Sequence, residues 1–264
     1  MNRSIPNRRA KQNSNPARFA VLFIAALAGG LLIPAPARAY RPFDGTDAGV
    51  ASTRRLEVEF GPLGYVRTGS ERLLVSPALN LTYGAGSGFE FGVEATRLML
   101  MSPDADGAEQ KIDDVELTAK KVLKNGSVQD KEGVSAALEG MLLLPTTDER
   151  KTGAGVQLSV SRSWEDLALH LNGQASRNRA GDNGRFASLI AEGPGWWGVR
   201  PVGELSWKRE GDAPIFRAVL LGVIWQTRNG LAMDFAIRTG YADEHEVELR
   251  SGVTWNRHVS GPKI

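Results

Sequence analysis

Cysteine is absent from this chain of 264 residues. That excludes a disulfide framework, a thiolate metal site, a catalytic thiol and a lipid-modified N-terminal cysteine. Histidine is scarce: His170, His245 and His258 are scattered and form no ligand cluster, so no metal and no cofactor are expected. Asp104-Ala105-Asp106-Gly107 lacks the downstream spacing of a calcium loop and reads as a turn. The glycine-rich stretch Gly84 to Gly88 lacks the following helix and lysine of a phosphate loop. Beyond residue 39 no apolar run approaches the ~18 residues of a helical membrane span. With 42% hydrophobic and 23% charged residues, neither disorder nor a coiled coil fits. A strongly basic surface is also missing. The formal net charge is +2, yet six of the 32 basic residues and none of the 30 acidic ones lie in residues 1–39. The remainder is therefore acidic, 26 against 30, which argues against nucleic acid as a partner.

What is present at the N-terminus is the order of an export signal. Residues 1–18 are basic and polar, and Phe19 to Ile33 is apolar. Pro34 to Ala39 then ends on Ala37-Arg38-Ala39, a small-x-small cleavage pattern. The apolar run is shorter than the ~20 residues that span a bilayer, contains Gly29-Gly30 and precedes two prolines. Residues 1–39 are therefore expected to be a cleaved signal peptide, and residues 40–264 the exported domain of a bacterial protein. Arg8-Arg9 reads as ordinary n-region charge rather than a twin-arginine signal.

From Arg54 onward the chain alternates with period two. Leu56, Val58 and Phe60 oppose Glu57 and Glu59. Leu73, Val75, Leu79, Leu81 and Tyr83 oppose Arg72, Ser76, Asn80 and Thr82. The same pattern recurs at Phe89 to Glu94, Val156 to Ser161, Leu167 to Gln174, Leu231 to Tyr241 and Glu246 to Trp255. Turn formers separate the segments, among them Asn125-Gly126, Gly181-Asp182-Asn183-Gly184, Gly211-Asp212 and Asn229-Gly230. The spacing predicts about twelve strands of ~9–14 residues, a length suited to a tilted bilayer crossing. Lys111 to Lys124 is ambiguous, because helical spacing competes there with the alternation of Val115, Leu117 and Ala119.

Alternation does not say which face is wet. A soluble sandwich turns its apolar face inward, whereas a membrane barrel turns it to lipid. The strands exceed the ~5–6 residues typical of globular sheets. Trp164, Trp196-Trp197, Trp207, Trp225, Tyr241 and Trp255 sit near strand ends, where interfacial girdles lie. The polar face carries dense charge of both signs, which suits a lumen. The expected fold class is all-β, a single antiparallel transmembrane β-barrel of about twelve strands in the bacterial outer membrane.

Arg41-Pro42-Phe43, Asp47-Ala48-Gly49 and Leu56-Glu57-Val58-Glu59-Phe60-Gly61 resemble the opening of a bacterial outer-membrane barrel family labelled MetA-pathway of phenol degradation, or simply transporter. Leu143-Leu144-Pro145-Thr146, Leu169-His170-Leu171-Asn172-Gly173 and Val202-Gly203-Glu204-Leu205 are similar to later landmarks of it. The resemblance spans residues 40 to 258. It implies a barrel of roughly twelve strands and uptake of small aromatic or hydrophobic molecules. Many outer-membrane barrels end on an aromatic residue read by the insertion machinery. Here a polar tail follows Trp255, which would serve as the last strand's anchor.

The polar face is the place to look for function. Glu57, Glu59, Arg72, Glu90, Glu94, Glu139, His170, Asn172, Glu192, Glu204, Lys208, Asp234, Arg238, Glu248 and Arg250 are the expected lumen-lining residues. They either fill the barrel with ion pairs or line a charge-screened passage, whose glutamate excess favours cations or neutral solutes over anions. The expected function is a passive channel or transporter for small molecules, not an enzyme. Its partners are outer-membrane lipid, the solute and the barrel-insertion machinery. Two other readings stand beside it. A lipid-acting barrel enzyme would need a nucleophile near His170, with Asn172 as a conceivable partner and Ser159 or Ser161 nearest in sequence. Those side chains share the polar face, away from lipid. A soluble periplasmic β-sandwich that binds a ligand is the third.

Overall fold

A computed structural model describes residues 42–101, 110–227 and 231–259. The expected signal peptide, Arg41, the turn at Pro103 to Gly107, Asn229-Gly230 and the tail from residue 260 lie outside the described residues. The described residues form twelve strands. They are β1 (Arg55–Thr68), β2 (Glu71–Gly86), β3 (Phe89–Leu100), β4 (Gln110–Lys124), β5 (Ser135–Leu143) and β6 (Gly153–Ser163). Then follow β7 (Ala168–Arg177), β8 (Asn183–Glu192), β9 (Val199–Glu210), β10 (Phe216–Gln226), β11 (Leu231–Tyr241) and β12 (His245–His258). Each pairs antiparallel with its sequence neighbours, and β1 pairs with β12. Val58 meets Trp255 and Tyr65 meets Leu249 across that seam, so the sheet closes on itself. The fold is a closed twelve-stranded antiparallel β-barrel.

The alternation decides which side chains point where, and the barrel wears its polarity inside out. On β11, Met233, Phe235 and Ile237 are exposed, whereas Ala232, Asp234 and Ala236 are buried. Leu221 at the centre of β10 is 63% exposed, and Glu59 and Glu204 are each only 3% exposed. In water this would be untenable: charged side chains are seldom fully buried, and large apolar patches seldom stay uncovered. Against lipid it is the expected arrangement. Trp164, Trp196, Trp197, Trp225 and Trp255 gather at the end where the chain enters β1 and leaves β12.

Three of the register shifts explain where the sequence pattern misleads. The β1–β12 register shifts between Phe60 and Leu63, and β2–β3 shifts between Val75 and Ala78. The shift around Ser76-Pro77 turns Leu73 and Val75 to the inner face, in phase with Ala78, Asn80 and Thr82. Arg72 consequently lies on the outer, exposed side. The expectation that Arg72 lines the lumen is therefore corrected, because a bulge reverses every side chain beyond it. The third shift falls between Glu94 and Thr96, opposite Asp114, which has φ 48°. An aspartate tolerates that left-handed conformation better than most residues. The extra residue blurs the alternation of Lys111 to Lys124, which is strand throughout.

A closed ladder leaves no edge to open. The folded protein is expected to resist detergent until heated. Unheated and heated samples on a denaturing gel should run at different mobilities, and identical mobilities would contradict closure.

Candidate functional site

The inner wall is shaped by small polar side chains over four neighbouring strands. Ser159 on β6 pairs with Asn172 on β7, Asn172 with Ser188 on β8, and Ser188 with Ser206 on β9. One rung away, Ser161 pairs with His170, His170 with Ile190, and Ile190 with Glu204. Such short side chains leave space inside. Residues 42–53, which lead into β1, fill it.

That segment has no ladder of its own, so its backbone groups need side-chain partners from the wall. Asp44 N–H donates to Glu204 Oε2 at 2.7 Å, and Gly45 N–H to Glu204 Oε1 at 2.9 Å. Thr46 N–H donates to Asn172 Oδ1 at 3.3 Å, and Ala48 N–H to Ser161 Oγ at 2.8 Å. Ala51 N–H donates to Glu90 Oε2 at 2.6 Å. In return, Gln129 Nε2 donates to the Ala48 carbonyl at 2.8 Å, and Lys120 Nζ to Thr46 Oγ1 at 3.1 Å. Ala48 is wholly buried. Close approach at two points requires glycine. A Cβ on Gly45 would collide with Ser188 Oγ and the Asn172 amide, and one on Gly84 with the carbonyls of Ala51 and Ser52.

Charge fastens the start of the segment. Arg238 Nε lies 3.0 Å from Asp44 Oδ2, and Arg250 Nη2 lies 2.7 Å from Asp44 Oδ1. Arg250 Nη1 also donates to the Pro42 carbonyl at 2.7 Å. Both guanidinium groups are held from the wall as well. Arg238 Nη1 lies 2.6 Å from Glu246 Oε1 and 3.2 Å from Glu248 Oε2, and Arg250 Nη2 lies 2.8 Å from Glu248 Oε2. Burial alone would raise the Asp44 carboxyl, but Arg250 and then Arg238 outweigh it and hold it below its ordinary value.

Beside the segment a cavity of about 1040 Å³ remains, from Glu149 and Glu246 near one rim down to Glu57. Of the residues expected on the polar face, Glu57, Glu59, Glu90, Glu94, Glu139, Lys208, Arg238, Glu248 and Arg250 border it. Asn172 and Glu204 lie under the segment, and Asp234 is buried against Gly252. Glu192 joins His170 at 3.1 Å and Arg200 at 2.5 Å. His170 does not bond Asn172. Its Nδ1 lies 2.8 Å from Ser161 Oγ and its Nε2 faces Glu192 Oε1. This Ser–His–Glu file is oriented like a hydrolytic one, but Ser161 is 1% exposed and already accepts the Ala48 N–H. Its role in the structure is to present an acceptor to the segment.

Sequence reasoning missed the segment as an occupant, and with it Lys120, which is 2% exposed. A signal was there: Asp44-Gly45-Thr46-Asp47-Ala48-Gly49 is small, polar and without strand alternation. Lys120 shares its phase with Glu116 and Thr118, which the shift at Asp114 conceals.

No protein-family profile and no curated protein matches the chain. Its fold is similar to that of solved outer-membrane barrels. The COG4313 outer membrane channel from Pseudomonas putida F1 aligns with TM-score 0.60 at 12% identity, over 81% of this chain and 100% of that one. The NanC porin aligns with TM-score 0.52 at 10% identity, over 76% and 98% of the two chains. The KdgM porin gives 0.51 at 14%, over 76% and 99%. At such identities the likeness establishes a shared barrel architecture.

Two outcomes follow from the segment's anchorage. Overpacking at Gly45 costs about 1–3 kcal/mol, so Gly45→Val should expose residues 42–53 to limited proteolysis that spares them in the unaltered protein. The lowered Asp44 carboxyl sets the pH dependence of the arginine clamp at the start of the segment. A depressed carboxylate contributes its stabilisation above its ordinary value and loses it as pH falls through the lowered one. The hold of Arg238 and Arg250 on Asp44 should persist through the ordinary carboxylate range and weaken only below about pH 4, read by acid-protease cleavage near Asp44 in the unaltered protein and in Asp44→Asn, which lacks this dependence.

Proposed function

We propose that this protein is a passive outer-membrane channel for small molecules, exported through a cleaved signal peptide and inserted by the barrel-assembly machinery. The observation that carries this reading is the inverted polarity of a closed barrel: an apolar outer band, and a charged interior with a cavity beside an internal segment. A barrel that only filled itself with side chains would leave no such space. The cavity is bordered by fourteen acidic and six basic residues, so it favours cations and neutral solutes over free anions. Val66, Leu73, Val75 and Leu98 add an apolar stretch to its wall. That stretch supports solutes with a hydrophobic or aromatic body. The interior carries out no chemistry in this reading. Its side chains set the width, charge and wetting of a path.

The test is conductance in planar bilayers. The purified barrel should conduct, with cations preferred, and Glu94→Gln should lower that preference. A barrel that never conducts, even when the segment is released by Gly45→Val, would overturn the reading. The outward face is tested separately. Leu221→Arg places a charge near the centre of β10 on the lipid side and should cost about 2–4 kcal/mol of folding stability in lipid vesicles, measured by denaturant titration. A neutral effect there would contradict lipid contact.

A further inference from the structure

We propose that Arg238 and Arg250, a basic cluster within the otherwise acidic cavity, form a binding site for the carboxylate of a solute with an apolar body, a local exception to the preference of the cavity as a whole, and that Asp44 occupies this site as a built-in stand-in. The proposal rests on the channel reading and names a class of solute for it.

The geometry is that of a carboxylate receptor. The two arginines project inward from adjacent strands, with Arg238 opposite Glu248 and Arg250 opposite Ala236. Arg250 Nη2 donates to one oxygen of the Asp44 carboxylate at 2.7 Å, and the Arg238 guanidinium pairs by charge with the other, its Nε 3.0 Å away. A carboxylate flanked by two guanidinium groups is held by charge from both sides and by a charge-assisted hydrogen bond from one. Glu246 and Glu248 orient the forks, and both belong to β12, so they are fixed parts of the site. Asp44 is different. It belongs to no strand and enters from the internal segment, so it can leave without breaking the ladder.

Charge and surroundings narrow the class of solute. Arg238 and Arg250 balance Glu246 and Glu248, and Asp44 adds one negative charge. A monocarboxylate that replaces Asp44 leaves the cluster's charge unchanged, whereas an amine or an alcohol does not. The neighbouring wall is apolar. Val66 lies opposite Glu248 and Gly64 opposite Arg250 on β1, and Leu73 and Val75 continue the row on β2. The register shifts of β1 and β2 turn these side chains inward. A solute held by its carboxylate at the arginines therefore has an apolar surface for its body in the same cavity. Binding would also remove Arg250's hold on the Asp44 carboxylate, loosening the first residues of the segment. The solute would thus open its own path.

A ligand that must displace an occupant binds with an affinity reduced by the fraction of empty sites. The experiment uses the exported chain in lipid nanodiscs and three matched probes: 4-phenylbutanoate, 4-phenylbutanol and 4-phenylbutylamine. Calorimetry should show the carboxylate alone binding measurably, and about tenfold or more tighter to Asp44→Asn than to the unaltered protein. Adding Arg250→Gln to Asp44→Asn should abolish that gain. Equal affinity with and without Asp44 would overturn the proposal, as would preferential binding of the amine. Because Asp44 lies outside the strands, its variant keeps the ladder, and its comparison with the unaltered protein decides even if the arginine variant fails to assemble. Conductance is recorded on the same samples. Cation-preferring conductance that 4-phenylbutanoate leaves unchanged would overturn the site and leave the channel standing. A carboxylate effect in a barrel that never conducts would overturn the channel reading instead.

Discussion

The pairing of β1 with β12 is the constraint on which the rest of this structure depends. In hydrocarbon an unpaired backbone N–H or carbonyl has no water to turn to, so a spanning sheet must end where it began. Once Val58 meets Trp255 and Tyr65 meets Leu249, every strand has two neighbours. Between bulges, period-two alternation then has only one possible reading. Leu221, Phe235 and Ile237 look outward, and Glu59, Glu204 and Asp234 look inward. The unusual burial of so much charge is a consequence of closure.

Buried charge must in turn be matched, and the barrel does this unevenly. Around Arg238 and Arg250 the match is dense, with Glu246, Glu248 and Asp44 all within 3.2 Å. Across the lumen, on β3 and β4, Glu94 and Glu116 pair in register and acids outnumber bases. One part of the wall is therefore a dense ion-pair network at the start of the internal segment, and another is predominantly acidic beside open space. Both parts hold the segment, the first through Asp44 and the second through Glu90 and Lys120, and both border the cavity.

The parts of the fold legible in the sequence were those where one period runs unbroken. Leu231 to Tyr241 shows its two faces without interruption, and so does Val156 to Ser161, so strand, length and facing followed directly. The twelve-stranded closed barrel was expected from such segments and from tryptophans at strand ends. Facing failed where a bulge inserts a residue. Arg72 was placed inward because the bulge signal of Pro77 within a strand went unread, and Asp114 hid the alternation of β4. The occupant of the lumen was missed for another reason: its composition marks it as irregular chain but not where it sits. Residues 42–53 have no period to detect, and their partners lie on strands far along the chain, so only the closed barrel brings them together.

That last property bears on the order of assembly. Pro42 and its partner Arg250 are separated by 208 residues, and Asp44 and Glu204 by 160. Glu90, Lys120, Ser161, Asn172 and Glu204 lie on five different strands, and none of them alone offers the segment a seat. Contacts of such long sequence separation form only after the loops between them have closed. The segment's full set of partners therefore exists only in the closed barrel, where β3, β4, β6, β7, β9 and β12 each hold a part of it.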